Sequence, residues 1–160
     1  MIRPVKLSDA ADICRIYNEY ILNTVISFEE NQITVEEMEL RINNITKNYP
    51  WLVYEENEKV IGYTYAGKWK ERSAYRFCVE TGIYIDSMHL GKGIGSDLKR
   101  ELIKILRERS IHSIVCGIAL PNAASVALCE KFGFIKVGQL KEVGFKLDKW
   151  VDVGYWELIL

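Results

Sequence analysis

Gly91, Gly93 and Gly95 alternate with Lys92 and Ile94 and are followed by Ser96, between an apolar strand-like run and an amphipathic helical one. Glycines placed there let successive backbone N–H groups turn toward an anion, and the helix that starts there adds partial positive charge. The chemistry that fits is a diphosphate cradle. The spacing is not that of a Walker A loop, since no Gly-Lys-Ser/Thr follows four residues after the first glycine, and Asp97 and Leu98 interrupt a full G-x-G-x-x-G. The segment reads equally as a tight strand-to-helix turn. A second candidate is Glu80, which stands two residues before Gly82 in an apolar strand and so suggests a cleft; an outward-facing strand carboxylate is the plainer alternative.

The remaining reactive side chains point less sharply. Cys14, Cys78, Cys116 and Cys129 match neither a zinc spacing nor a C-x-x-C pair, and only His89 and His112 could add soft ligands, so no metal site is expected. The two histidines read as turn and surface residues, and Cys14 and Cys78 as core. With 21 Lys and Arg against 22 Asp and Glu, the net charge of -1 leaves no global positive field for nucleic acid or an anionic membrane. Any bound anion must be held by local geometry. The start of the chain has charges and no apolar h-region, so no signal peptide is expected, and reduced thiols in the cytoplasm are the natural reading.

The elements that must position these residues can be read along the chain. The 160 residues, 49% apolar and 27% charged, suit one domain over 1–160. Residues 3–6 suit a short strand, and Ser8 offers an N-cap to a helix with Ile13, Ile16, Tyr17, Tyr20 and Ile21 at helical spacing. Thr34 and Glu37 form a capping box before Met38, Ile42, Ile45 and Tyr49. Strands over 51–55 and 60–67 flank the Asn57-Glu58 turn, a charged loop covers 68–72, and a longer strand covers 75–86. The glycine segment then opens a helix through Ile94, Leu98, Leu102, Ile105 and Leu106. A strand over 113–119 follows, then a short helix from Pro121-Asn122 to Phe132, then strands over 133–137 and 151–160 separated by a loop holding Gly144, Lys146 and Asp148. The result is a mixed α/β fold.

The run Ile83-Tyr-Ile-Asp-Ser-Met-His-Leu-Gly-Lys-Gly-Ile-Gly-Ser96 resembles the acyl-CoA-binding motif of the GNAT N-acetyltransferases. Pro121-Asn122 through Ser125, Leu128 and Gly133-Phe134 resembles their second motif, in the expected order and separation. The tail from Gly144 to Trp156 is similar to that of the phosphinothricin and methionine sulfoximine acetyltransferases, and the resemblance covers nearly the whole chain, including Asn18, Tyr20 and Ser27-Phe28-Glu29. It implies a GNAT fold: a central, mostly antiparallel sheet with splayed parallel middle strands, flanked by helices. It implies acetyl-CoA as co-substrate, with Ile83, Tyr84 and Ile85 along the pantetheine arm. The amides of Leu90, Gly91, Lys92, Gly93, Ile94, Gly95 and Ser96 would take the diphosphate, Asn122 would hydrogen-bond the pantetheine or the thioester region, and Ser125 would also contact the cofactor. Strand amides near Ile85 would polarise the thioester carbonyl.

The resemblance further implies Glu80 as the base for a small amine that attacks acetyl-CoA directly in a ternary complex, and a homodimer. Arg72 and Arg76, beside aromatic residues, suit an amino-acid carboxylate, and Phe28 and Tyr75 suit the walls of its pocket. Two positions depart from the pattern. Leu90 replaces a Gln or Arg and loses a side-chain donor, and Cys129 replaces a tyrosine, which excludes a tyrosyl general acid there. Leu147 and Val151 stand where some relatives carry a tail histidine. The expected activity is acetyl transfer to the α-amino group of an amino-acid analogue of the phosphinothricin or methionine sulfoximine type. The alternatives are transfer to another amine, such as a protein N-terminus or a polyamine, and a non-catalytic acyl-CoA sensor.

Overall fold

The computed structural model describes residues 1–160. Its strands are β1 (Ile2–Pro4), β2 (Trp51–Glu56), β3 (Lys59–Lys68), β4 (Cys78–Ile85), β5 (Ser113–Leu120), β6 (Ile135–Lys146) and β7 (Lys149–Ile159). Its helices are α1 (Ala10–Asn23), α2 (Val35–Thr46), α3 (Ile94–Glu108) and α4 (Ala123–Lys131). The strands form one sheet in the order β1-β2-β3-β4-β5-β7-β6, antiparallel throughout except between β4 and β5.

Alternation along the strands sends successive side chains to opposite faces. On β2, Leu52 joins the core under α3, while Trp51 and Val53 join the core under α1 and α2. Helix α3 supplies Ile94, Leu98, Leu102 and Leu106 to the first core, and α1 and α2 supply Ile13, Ile16, Met38 and Ile42 to the second. The Thr34 hydroxyl accepts the Glu37 amide at 3.2 Å, so α2 starts at the expected cap. The β2–β3 turn holds Asn57 and Glu58 at φ of 50° and 62°, the mirror-image turn that matches strand twist.

Three expectations change. Ser8 lies inside a 3-10 turn (Leu7–Asp9) and does not cap α1; Asp9 instead accepts the Lys6 amide at 2.7 Å and pairs with Arg3. The strand expected over 75–86 begins only at Cys78, because Ser73–Tyr75 is a 3-10 turn. The loop expected around Gly144, Lys146 and Asp148 is instead the end of β6 and a tight turn at Leu147 and Asp148, with φ of 51° and 57°. Strand β6 is exposed on both faces over most of its length and its register slips twice against β7, so no alternation marks it in the sequence. No helix is long and apolar enough to cross a membrane.

Candidate functional site

Strands β4 and β5 pair at only three positions, Cys78 with Ser113, Val79 with Ile114 and Glu80 with Val115. Beyond these, β4 stays with β3 as far as Ile85 and β5 stays with β7 as far as Leu120, so the two part and open a cleft of about 310 Å³. Parted edges leave backbone groups that an extended ligand can pair with. Ile83 and Tyr84 line the cleft from one side, Asn122 and Ser125 from the other. The Asn122 side chain caps α4 by accepting the Ser125 amide at 3.2 Å. Ile85 lies in the adjoining groove, and its carbonyl accepts the Tyr20 hydroxyl at 2.6 Å.

That groove leads to the glycine segment, and Leu128 lines both. Gly91 and Gly93 have φ of 75° and 83°, which side-chain-bearing residues adopt only with strain. The amides of Leu90, Gly91, Lys92, Gly93, Ile94 and Gly95 donate to no group of the chain, whereas those of Ser96 and Asp97 both donate to the Gly93 carbonyl. Six of the seven expected amides are therefore open to a ligand at the N-terminus of α3, and that of Ser96 is engaged. The Ser96 hydroxyl instead meets Lys131 Nζ at 3.0 Å, which brings a cation to the groove. Lys131 was not legible as a site residue; its one signal is a basic residue in the last turn of a helix.

The cleft meets a second pocket, of about 580 Å³, and Glu80, Tyr84, Gly117 and Ala119 line both. Glu80 is the last paired residue before β4 and β5 part. Its Oε1 would lie 3.4 Å from a Cβ on Gly117, so the glycine leaves the carboxylate room to cross β5. The side chain reaches water, yet apolar walls push its pKa up, reinforced by negative charge on Cys116 and opposed by Lys70. A raised carboxyl is a stronger base at neutral pH.

The loop between α1 and α2 forms one wall of the second pocket through Ser27, Phe28 and Glu29. Asn18 exchanges two hydrogen bonds with the Ile33 backbone at 2.9 and 3.0 Å, and Arg41 donates to both Glu29 oxygens at 2.9 and 2.6 Å. Arg41 holds the Glu29 carboxyl below its ordinary range against desolvation, with help from the Tyr17 hydroxyl. Lys146 is buried and donates to the Ser27 carbonyl at 2.6 Å, while Phe28 packs where a Cβ on Gly144 would approach its ring to 2.4 Å. The β6–β7 hairpin thus clamps the wall.

Phe28 lines the second pocket as expected, joined by Tyr17 and Tyr155, which nothing in the sequence separated from the other tyrosines. Arg72, Tyr75 and Arg76 line neither pocket of their own chain. Arg76 donates to the Ser73 carbonyl at 3.2 Å and lies over Phe77, Tyr75 lines a separate hollow with Trp69 and Val137, and Arg72 is exposed.

The cleft also holds a lysine that sequence reasoning missed. Lys99 of α3 is 5% exposed, and its Nζ lies 3.5 Å from both Cys116 Sγ and Cys129 Sγ and 4.4 Å from the centre of the Phe134 ring. Its only signal was helical spacing, four residues before the buried Ile103. The neighbouring Cys129 thiol and the Lys99 charge hold the Cys116 pKa down against desolvation, while Cys116 and burial push Cys129 up.

The profile of the family described as Acetyltransferase (GNAT) domain matches residues 2–154. A phosphinothricin N-acetyltransferase of Streptomyces viridochromogenes is 38% identical over 98% of this chain and 85% of its own. An L-methionine sulfoximine/L-methionine sulfone acetyltransferase of Salmonella typhimurium is 34% identical over 99% of this chain and 94% of its own. The solved structure of a GNAT superfamily phosphinothricin acetyltransferase from Sinorhizobium meliloti, in complex with acetyl-CoA, superposes with a TM-score of 0.97 at 36% identity, covering 100% of this chain and 88% of that one.

Proposed function

The chain belongs to the GNAT acetyltransferases, and from that premise we propose that it transfers the acetyl group of acetyl-CoA to the α-amino group of a small amino-acid analogue of the phosphinothricin or methionine sulfoximine type. The observation that carries this reading is the place of Glu80, where the strand-edge cleft and the second pocket meet. Acetyl-CoA fits the cleft and its groove: six free amides and Lys131 suit the diphosphate, and the parted edges of β4 and β5 suit an extended arm. Bound acetyl-CoA supplies an activated acyl carbonyl. The second pocket then presents the amine to it.

An ammonium cannot attack a carbonyl, so the amine must first lose a proton. Glu80 receives that proton, directly or through water, and the apolar walls that raise its pKa bring it nearer to neutrality. The nitrogen of the free amine then attacks without an acetylated enzyme, with both substrates bound together. The aromatic and hydroxyl lining from Tyr17, Ser27, Phe28 and Tyr155 suits a short side chain with a polar end. We place this chemistry in a single acetyltransferase domain over residues 1–160 and in the cytoplasm, a reducing compartment that suits a chain whose four cysteines are all free thiols. We also read the assembly as a homodimer, because β6 is a sheet edge that exposes Ile135, Val137, Leu140, Val143 and Phe145, an arrangement that monomers avoid.

One observation favours a second reading, an amine without a carboxylate: the only charged residues lining the second pocket are Glu29 and Glu80. A thiol-release assay over amino acids, amino-acid amides, N-terminal peptides and polyamines decides between them. The first reading expects turnover with free α-amino acids to exceed that with their amides; the reverse order supports the second, and no thiol release with any amine leaves an acyl-CoA sensor. If Arg72→Ala or Arg76→Ala raises the KM for the amino acid alone, that arginine reaches the pocket from a second copy.

A further inference from the structure

Lys99 has no carboxylate partner: its hydrogen-bond partners are the thiols of Cys116 and Cys129, each at 3.5 Å. A buried cation is stabilised by a counter-charge, and the groups placed to supply one beside Lys99 are these two thiols, one of them as a thiolate. Cys116 is the better placed, since Thr81 Oγ1 also lies 3.1 Å from its sulfur. Cys14 has no such cation; its sulfur meets the Ile33 carbonyl and the Asn18 side chain. A thiolate beside a cation is the reactive form of cysteine, and a second thiol alongside is the partner that resolves its oxidised products. Lys99, Cys116 and Cys129 all line the cleft, so a small molecule that enters the cleft meets them.

We propose that Cys116 and Cys129 form a redox-active pair, poised by Lys99, which a coenzyme A disulfide oxidises to an intramolecular disulfide that switches acetyl transfer off. The identity of the oxidant rests on the reading of the cleft as the acetyl-CoA site, because the same carrier would bring its disulfide sulfurs to the same place. The Cys116 thiolate attacks one sulfur of the small disulfide, forming a mixed disulfide and expelling one thiolate, which takes a proton from solvent. Cys129 then gives up its proton and attacks the Cys116 sulfur, releasing the second small thiol. The two cysteines lose two electrons and the one proton of Cys129, solvent supplies the second proton, and the small disulfide is reduced to two thiols. The product ties β5 to α4 at the cleft wall and leaves Lys99 without its anion.

The test treats the reduced protein with coenzyme A disulfide, maps cysteine linkages by mass spectrometry and follows acetyl transfer. The expected product is lighter by two hydrogens, with Cys116 joined to Cys129 and with Cys14 and Cys78 free. Acetyl transfer should fall by about tenfold or more and return with dithiothreitol, and excess acetyl-CoA should slow the linkage. Lys99→Met should slow it by about tenfold through loss of the thiolate. Failure of the linkage, a linkage that leaves acetyl transfer unchanged, or equal oxidation rates in Lys99→Met and wild type would each overturn the proposal. Calorimetry of acetyl-CoA with the reduced protein keeps the two readings apart: a protein that does not bind acetyl-CoA but joins Cys116 to Cys129 under glutathione disulfide refutes the coenzyme cleft and the named oxidant while retaining the pair.

Discussion

Strand β5 meets β7 at every position from Ser113 to Leu120 but meets β4 only at Ser113, Ile114 and Val115. Its two edges are made of the same residues and do different work. The β7 edge is closed, and Trp156 of β7 packs in the core. The β4 edge opens after Glu80, and Glu80, Asn122 and Ser125 line the cleft it leaves. The contrast shows how a sheet can host a ligand without losing its stability: one edge satisfies its backbone internally, and the other leaves backbone groups for a substrate to complete. Substitutions at the open edge should therefore alter rates and affinities, and those at the closed edge should alter stability.

The largest expected effect is at the opening itself. Glu80→Gln keeps the shape and removes the proton acceptor, so turnover should fall by about 100- to 10,000-fold with acetyl-CoA affinity kept. Steady-state kinetics beside calorimetry check this, and a mutant that keeps more than about a tenth of wild-type turnover rules Glu80 out as the essential base. Next comes the far end of the open edge. Gly93→Val forces a β-branched residue into φ of 83° and disturbs the free amides, which should raise the KM for acetyl-CoA about 10- to 100-fold, the loss of one charged hydrogen bond or a little more. Unchanged calorimetric affinity in the folded mutant would reduce the segment to a turn.

On the closed edge, a Cβ at Gly154 would come within 2.5 Å of the Trp156 ring and 3.1 Å of Leu120. Gly154→Ala should cost about 1–3 kcal/mol of stability through overpacking, seen in denaturant melts, with KM values little changed in the folded fraction. A large change in KM at full stability would show that the two edges are not separable. The smallest effect tests the link between thiol and base. Negative charge on Cys116 raises the Glu80 pKa, so Cys116→Ser should move the acid limb of the turnover profile to lower pH. An unmoved limb assigns it to the substrate ammonium or separates the two groups electrically.

The parts of this molecule written in local chemistry were legible. Thr34 three residues before Glu37 marks the start of α2, and glycines at 91 and 93 mark the positive-φ positions of the turn before α3. The end of β6 was hidden because exposure on both faces removes alternation, and the Ser73–Tyr75 turn was hidden because aromatic residues suit strands and turns alike. Within the site, Glu80, Asn122 and the free amides carried a signal, since each sits next to a glycine or a helix start. Lys99 did not, because a lysine on an amphipathic helix ordinarily extends its amine to water.

The sequence by itself determined most element types, the glycine turn that opens α3 and the presence of a carboxylate within an apolar strand, because these follow from dihedral preferences and periodicities that act over a few residues. The tertiary structure alone decided that β4 and β5 part at Glu80, that the wall from Ser27 to Glu29 is held by Arg41 and Lys146, and that Lys99 lies between two thiols. Those are contacts between residues distant along the chain. Local propensity does not encode them; they are fixed when packing brings β5, α3 and α4 together and the buried charge of Lys99 must find its partner there.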